Sequence, residues 1–165
     1  MGTGKAAESP GNHPMTVERA SDREMIVRRT FDAPAHLVFE AWTRPELFAR
    51  WWVPKSFGLT LLSIDMDVRV GGTYRLVFSH AGSEPMAFFG KYLEVVAPSR
   101  LVWSNDESAT GAITTVSFEE TDGRTLLVMS ERYPSKEALD AEGGGAAEAT
   151  HETFAQLDEL LLTLR

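Results

Sequence analysis

The chain has 165 residues, room for one domain with an appendage, and 43% of them are hydrophobic, ordinary for a globular protein. Sixteen Lys and Arg against 24 Asp and Glu give a net charge of −8, which opposes the basic footprint that a nucleic-acid binder needs. The absence of cysteine excludes a disulfide frame, a thiolate nucleophile and a cysteine-based zinc site, and suits a cytoplasmic location. No apolar run approaches the roughly 18 residues that suggest a membrane span.

Residues 1–22 read as a disordered extension. They carry Gly2, Gly4, Pro10, Gly11 and Pro14 and few large apolar groups, so they bury too little surface to offset ordering entropy. The segment lacks the apolar core of a signal peptide. Gly2-Thr3-Gly4-Lys5 has neither the preceding strand nor the Gly-Lys-Ser/Thr ending of a phosphate loop. The domain is expected over residues 23–165.

Residues 24–31 predict a strand with Met25, Val27 and Phe31 on its apolar face. Asp32-Ala33-Pro34 stops it, and Pro34 suits the first turn of a helix over 35–42. A second short helix follows, with Thr43 as cap, Pro45 in the first turn, and Leu47, Phe48, Trp51 and Trp52 on its apolar side. Pro54 ends it. From residue 57 to 133 no helical period appears. Turn signals at Gly71-Gly72, His80-Ala81-Gly82, Pro98-Ser99, residues 106–111 and Asp122-Gly123 divide about six antiparallel strands. Asp122-Gly123 between two alternating runs predicts a hairpin.

Helix returns after Pro134, with Ser135 as cap. Gly143-Gly144-Gly145 weakens a helix by about 1 kcal/mol per glycine relative to alanine, so a kink or break is expected there. A long helix then runs from 146 to 164. Ala147, Thr150, Phe154, Leu157, Leu161 and Leu164 form one stripe facing a core.

This order predicts an α+β fold. A curved antiparallel sheet of about seven strands wraps on the C-terminal helix, and two short helices after the first strand close one end. The space left between sheet and helix is lined by aromatic and aliphatic groups.

Several segments together resemble the family named after the activator of the 90-kDa heat-shock protein ATPase, in its homologue-like branch. They are Phe31-Asp32-Ala33-Pro34, Val38-Phe39-Glu40-Ala41-Trp42-Thr43-Arg44-Pro45-Glu46 and Ala49-Arg50-Trp51-Trp52-Val53-Pro54. Asp67 to Tyr74, Phe88-Gly90-Tyr92-Glu94, Pro98 to Val102 and Thr114 to Glu119 follow in register. The resemblance implies the START-like, helix-grip fold of the superfamily that includes the birch allergen. The family's last helix often carries Gly-Trp before a Leu-Asp pair. Here Glu152-Thr153 stand ahead of Leu157-Asp158, which changes the groups offered near the cavity.

Motifs for covalent or metal chemistry are missing. His151-Glu152-Thr153-Phe154-Ala155 begins like a zinc-protease helix, but Ala155 stands where the second histidine must be. There is no Gly-x-Ser-x-Gly elbow and no strand–Gly-x-Gly-x-x-Gly–helix unit. No metal and no cofactor are expected.

Trp42, Trp51, Trp52 and Trp103 read either as core or as a cavity wall that stacks on a flat ligand. Adjacent Trp51 and Trp52 cannot easily both point inward, so one is expected at the cavity mouth and the other toward solvent or a partner. Alternation puts Tyr74, Phe78 and His80 on one face, and Met129, Glu131 and Tyr133 on another. Phe154 and Leu157 face them from the helix. Tyr92 offers its hydroxyl inward or packs. Glu131 reads as a half-buried acid or base, or as a rim carboxylate paired with Arg. His80 reads as a cavity group or as an exposed residue beside a glycine turn.

The expected function is noncatalytic binding of a hydrophobic or amphipathic small molecule. One alternative, implied by the resemblance to the superfamily, is a cyclase- or hydrolase-like enzyme acting on an apolar substrate, with Glu131, His80 and Tyr92 moving protons. Another, implied by the family name, is a co-chaperone module stimulating a chaperone ATPase. Expected partners are therefore a small molecule, with a chaperone or a second copy of the chain as alternatives, and neither nucleic acid nor membrane.

Overall fold

Alternating apolar residues give one sheet an apolar side, and a helix with one apolar stripe covers it. The computed structural model describes residues 13–80, 84–107 and 111–164, with the backbone alone at 142–148. The tail at 1–12, the turn residues 81–82 and 108–110, and the Ala147 side chain lie outside the described residues.

The elements are β1 (Thr16–Arg19), β2 (Glu24–Phe31), α1 (Ala35–Thr43), α2 (Pro45–Trp51), a 3-10 turn (Lys55–Phe57), β3 (Leu59–Met66) and β4 (Thr73–His80). β5 (Met86–Val96), β6 (Arg100–Ser104), β7 (Ile113–Thr121), β8 (Arg124–Arg132) and α3 (Lys136–Leu164) complete them. The eight strands form one antiparallel sheet in the order β1-β2-β8-β7-β6-β5-β4-β3. Register shifts between Leu61 and Ser63 in β3, and between Tyr92 and Glu94 in β5, add the local bends that curvature needs. No helix among the described residues is long and apolar enough to cross a membrane.

The sheet departs from the sequence reading at its edge. Thr16–Arg19, read as part of a disordered tail, pairs with β2 from Thr16↔Arg28 to Arg19↔Met25. The sheet thus has eight strands, and the two short helices follow its second strand. β1 is exposed along its length and is held by backbone pairing, so its side chains carry no periodic signal.

Local chemistry explains the other joints. The β7–β8 hairpin turns at Asp122-Gly123, both with positive φ (55° and 79°), and Thr121 pairs with Arg124 as expected. Pro45 stands at the start of α2, but Thr43 does not cap it; its hydroxyl donates back to the Phe39 carbonyl (2.9 Å). Pro34 is the N-cap of α1, and the Ala35 N–H donates to Glu120 Oε1 (2.9 Å), a cap supplied from β7. Ser135 Oγ accepts from the Ala138 N–H (3.1 Å) and opens α3 as predicted.

The expected break at Gly143–Gly145 does not occur: α3 is one helix of 29 residues. Both of its ends are anchored. Ala138 and Leu139 pack with Ala112 and Tyr133, while Phe154, Leu157 and Leu161 are buried in the main core. Tertiary packing at two ends outweighs the poor propensity of the middle.

Candidate functional site

The predicted stripe brings Phe154 against the sheet. Its ring meets Phe31 edge-on at 5.4 Å and is 2% exposed. Beside it, between sheet, α3 and the turn after α2, lies a cavity of about 460 Å³. That volume lies within the roughly 300–1,000 Å³ usual for small-molecule sites. The residues lining it are mostly apolar.

Aromatic rings form much of the wall. Trp42 is central: its ring lies 4.8–6.4 Å from those of Phe48, Trp51, Trp52, Trp103, Phe118 and Phe154. Its indole N–H is buried with no hydrogen-bond partner among the described residues. Trp52 lines the cavity and stacks on Phe48 at 4.7 Å. Tyr74, Tyr92, Trp103, Met129 and Phe154 line it as well: Tyr74 and Met129 from the alternating faces of their strands, and Phe154 from the helical stripe.

Three expected wall residues lie elsewhere. Trp51 is fully buried in the core, and its indole N–H donates to the Ala41 carbonyl (2.9 Å). Both tryptophans therefore serve the interior, because the chain turns at the end of α2 and sets their rings at 82° to one another. Phe78 is buried on β4 and packs on Phe88 (5.3 Å), which lines the cavity while Phe78 does not. Leu157 is fully buried between helix and sheet. His80 is exposed at the far end of β4, opposite Leu59, and does not line the cavity. The proton-transfer trio of Glu131, His80 and Tyr92 is therefore not assembled.

Glu131 does reach the cavity from β8, one alternation beyond Met129. Its Oε2 accepts from Thr114 Oγ1 (3.3 Å) and its Oε1 from the Tyr133 hydroxyl (3.2 Å). Thr114 Oγ1 in turn accepts from Asn105 Nδ2 (2.9 Å). The Tyr74 hydroxyl donates to the Ser104 carbonyl (2.8 Å) and lies 3.3 Å from Asn105 Oδ1. A polar belt thus crosses the strands, following the register Trp103↔Thr114↔Glu131.

Burial pushes the Tyr74 hydroxyl well above the ordinary tyrosine range, and Glu107, Tyr92, Asp106 and Glu131 add to the effect. Burial does the same to Tyr92, with Asp67 adding. Both remain neutral donors at neutral pH.

Sequence reasoning does not single out Asn105, Glu107 or Thr114. Thr114 shares a face with Val116 and Phe118, so alternation could have found it. Asn105 and Glu107 follow β6 in irregular chain, where no period exists. Gly90 stands out only as one member of a family motif. A Cβ there would overlap the Ser104 carbonyl oxygen and fall 3.0 Å from the Tyr74 ring. Among the described residues, no three His, Cys, Asp or Glu side chains are grouped so as to hold a metal ion.

α3 also fastens the turn that edges the cavity. Gln156 Nε2 donates to the carbonyls of Trp51 (2.9 Å) and Val53 (2.8 Å), and its Oε1 accepts from the Lys55 N–H (2.9 Å). One turn earlier, Glu152 accepts from the Ser56 N–H (2.9 Å) and hydroxyl (2.5 Å). These bonds hold the Glu152 carboxyl below the usual range. Pro54 and Phe57, on the fastened segment, line the cavity.

A family model described as "Activator of Hsp90 ATPase homolog 1-like protein" matches residues 32–162. The chain belongs to this family. No curated protein matches the sequence. Among solved structures, a protein from Rhodobacter sphaeroides is similar with a TM-score of 0.84 at 24% identity, over 92% of this chain and 100% of that one. A protein from Staphylococcus epidermidis gives 0.75 at 28% identity, over 92% and 96%. One from Mycobacterium smegmatis gives 0.77 at 23%, over 92% and 100%. In this family member, Glu152 and Thr153 of α3 both serve the site. Glu152 holds the Ser56 turn and Thr153 lines the cavity.

Proposed function

We propose that the chain binds a hydrophobic or amphipathic small molecule in the cavity between sheet and α3, without transforming it. The observation that carries this reading is a preformed space of about 460 Å³ with an aromatic wall crossed by a polar belt. Apolar walls supply affinity by releasing water, and a few fixed polar groups orient the ligand. Trp42, Trp52, Tyr74, Tyr92, Trp103, Met129 and Phe154 are the groups that touch it.

Titration with the neutral fluorophore N-phenyl-1-naphthylamine tests the proposal, alongside thermal unfolding. Saturable fluorescence enhancement and a melting temperature that climbs with ligand concentration are expected. Stabilisation follows RT ln(1 + [L]/Kd), about 2.7 kcal/mol at a hundredfold excess over Kd. No saturable signal and no shift from this probe or from a panel of alcohols, sterols and aromatic acids would overturn it.

A further inference from the structure

Among the described residues, the charged groups that line the cavity are acidic. Glu107 and Glu131 line it, while no lysine, arginine or histidine does so among the described residues. Glu107 is oriented by the Phe89 N–H, which donates to its Oε1 (3.2 Å), and Glu131 by Thr114 and Tyr133. The charges that act on the Tyr74 hydroxyl at the same belt come from Glu107, Asp106 and Glu131, all acidic.

The rings supply a second, independent preference. Trp42, Trp52, Trp103, Tyr74, Tyr92 and Tyr133 line the same cavity. An aromatic face carries negative charge density and attracts a cation, most strongly where water is excluded. A carboxylate ligand would find neither a basic partner nor a favourable ring face, and its desolvation would go uncompensated. An ammonium would find both carboxylates and rings, and it has three N–H donors to place.

The two ends of the cavity also differ. Strand register sets Tyr74 opposite Met66, at one end of the β3–β4 pair, and Leu59 opposite His80 at the other. The acidic belt lies with Tyr74, whereas Leu59 shares its end with Phe57 of the preceding turn.

We infer that the cavity selects cationic amphiphiles: molecules with an apolar body and a protonated amine, the amine at the belt formed by Glu131, Glu107 and the tyrosines. This rests on the binding reading above and adds the sign and position of the ligand's charge.

Dodecylamine, dodecanol and dodecanoate, each below its micellar concentration at pH 7, are competed against N-phenyl-1-naphthylamine on the full chain. Dodecylamine should bind at least about tenfold more tightly than dodecanol, and dodecanoate should be the weakest; tenfold corresponds to 1.4 kcal/mol. Glu131→Gln should reduce the amine-to-alcohol ratio severalfold, and Glu107→Gln does the same should the first variant fold poorly. Equal or tighter binding of dodecanol or dodecanoate overturns the inference and leaves the binding reading standing. A preference for amine that neither variant reduces also overturns it, because the attraction then belongs to the acidic surface. If neither the probe nor any of the three ligands binds, both readings fall.

Discussion

Arg29 of β2 and Asp158 of α3 meet through the two terminal guanidinium nitrogens and both carboxylate oxygens, with Arg29 only 6% exposed. The Arg29 guanidinium also lies 4.7 Å from the centre of the Phe31 ring. This two-pronged contact fixes the helix on the sheet at one angle, where apolar packing alone would leave sliding freedom. Asp158→Ala leaves the buried guanidinium without its carboxylate and should cost about 3–5 kcal/mol in urea melts. The double variant Arg29→Met with Asp158→Leu should lose much less, because no charge is left buried. A single variant as stable as the wild type would show that the pair contributes nothing.

The same carboxyl makes stability pH-dependent. Burial pushes Asp158 up to about 6 against the pull of Arg29. The folded state then holds a proton that the unfolded chain, titrating near the ordinary value of about 3.9, has released. Its contribution is full below about pH 4 and is lost as pH rises through about 6. Asp158→Asn removes this slope, so the stability difference between wild type and variant should change over this window and flatten above it. Carbon NMR of the Asp158 carboxyl should show a midpoint near 6.

Gln156 satisfies three backbone groups of the turn between α2 and β3, and is itself 8% exposed. Gln156→Leu keeps the bulk and strands those groups. A loss of about 1–3 kcal/mol is expected for each group left buried without a partner, less where water replaces the side chain. Hydrogen exchange should speed up at Lys55 before it does in the sheet. Unchanged exchange there would mean that the turn is held by its own packing.

Phe154 is both core and wall. It packs on Phe31, Trp42 and Trp51 while lining the cavity. Phe154→Ala should cost about 3–5 kcal/mol, the loss typical of a packed ring. A probe that fills the enlarged space should recover part of the loss. A cost below about 1 kcal/mol would place the ring at an open border, where little packing is lost.

What the sequence reveals depends on how local the cause is. Asp122-Gly123 names its own turn, because two adjacent positive φ angles demand such residues. Leu127, Met129, Glu131 and Tyr133 follow a period of two, so alternation alone makes the inward position of Glu131 readable. Arg29 follows the same period with Val27 and Phe31. Its charge hides the pattern, because its partner lies 129 residues away. β1 and the unbroken α3 are opposite cases: one has no side-chain signal, and the other overrides a misleading one through anchors at both ends. The choice between Trp51 and Trp52 depends on where the chain turns after α2, which two neighbouring identical residues cannot encode.

Gly90 contributes no atom to the cavity lining, yet it sets the width of the cavity. The missing side chain lets β5 lie directly behind the Tyr74 ring and against the Ser104 carbonyl. Any larger residue must push the strands apart or drive that ring into the cavity. The volume of the cavity is thus tuned from outside its wall, by a position that a search for lining residues would pass over. A side chain at this position would change the volume of the cavity while leaving the chemical groups on its wall the same.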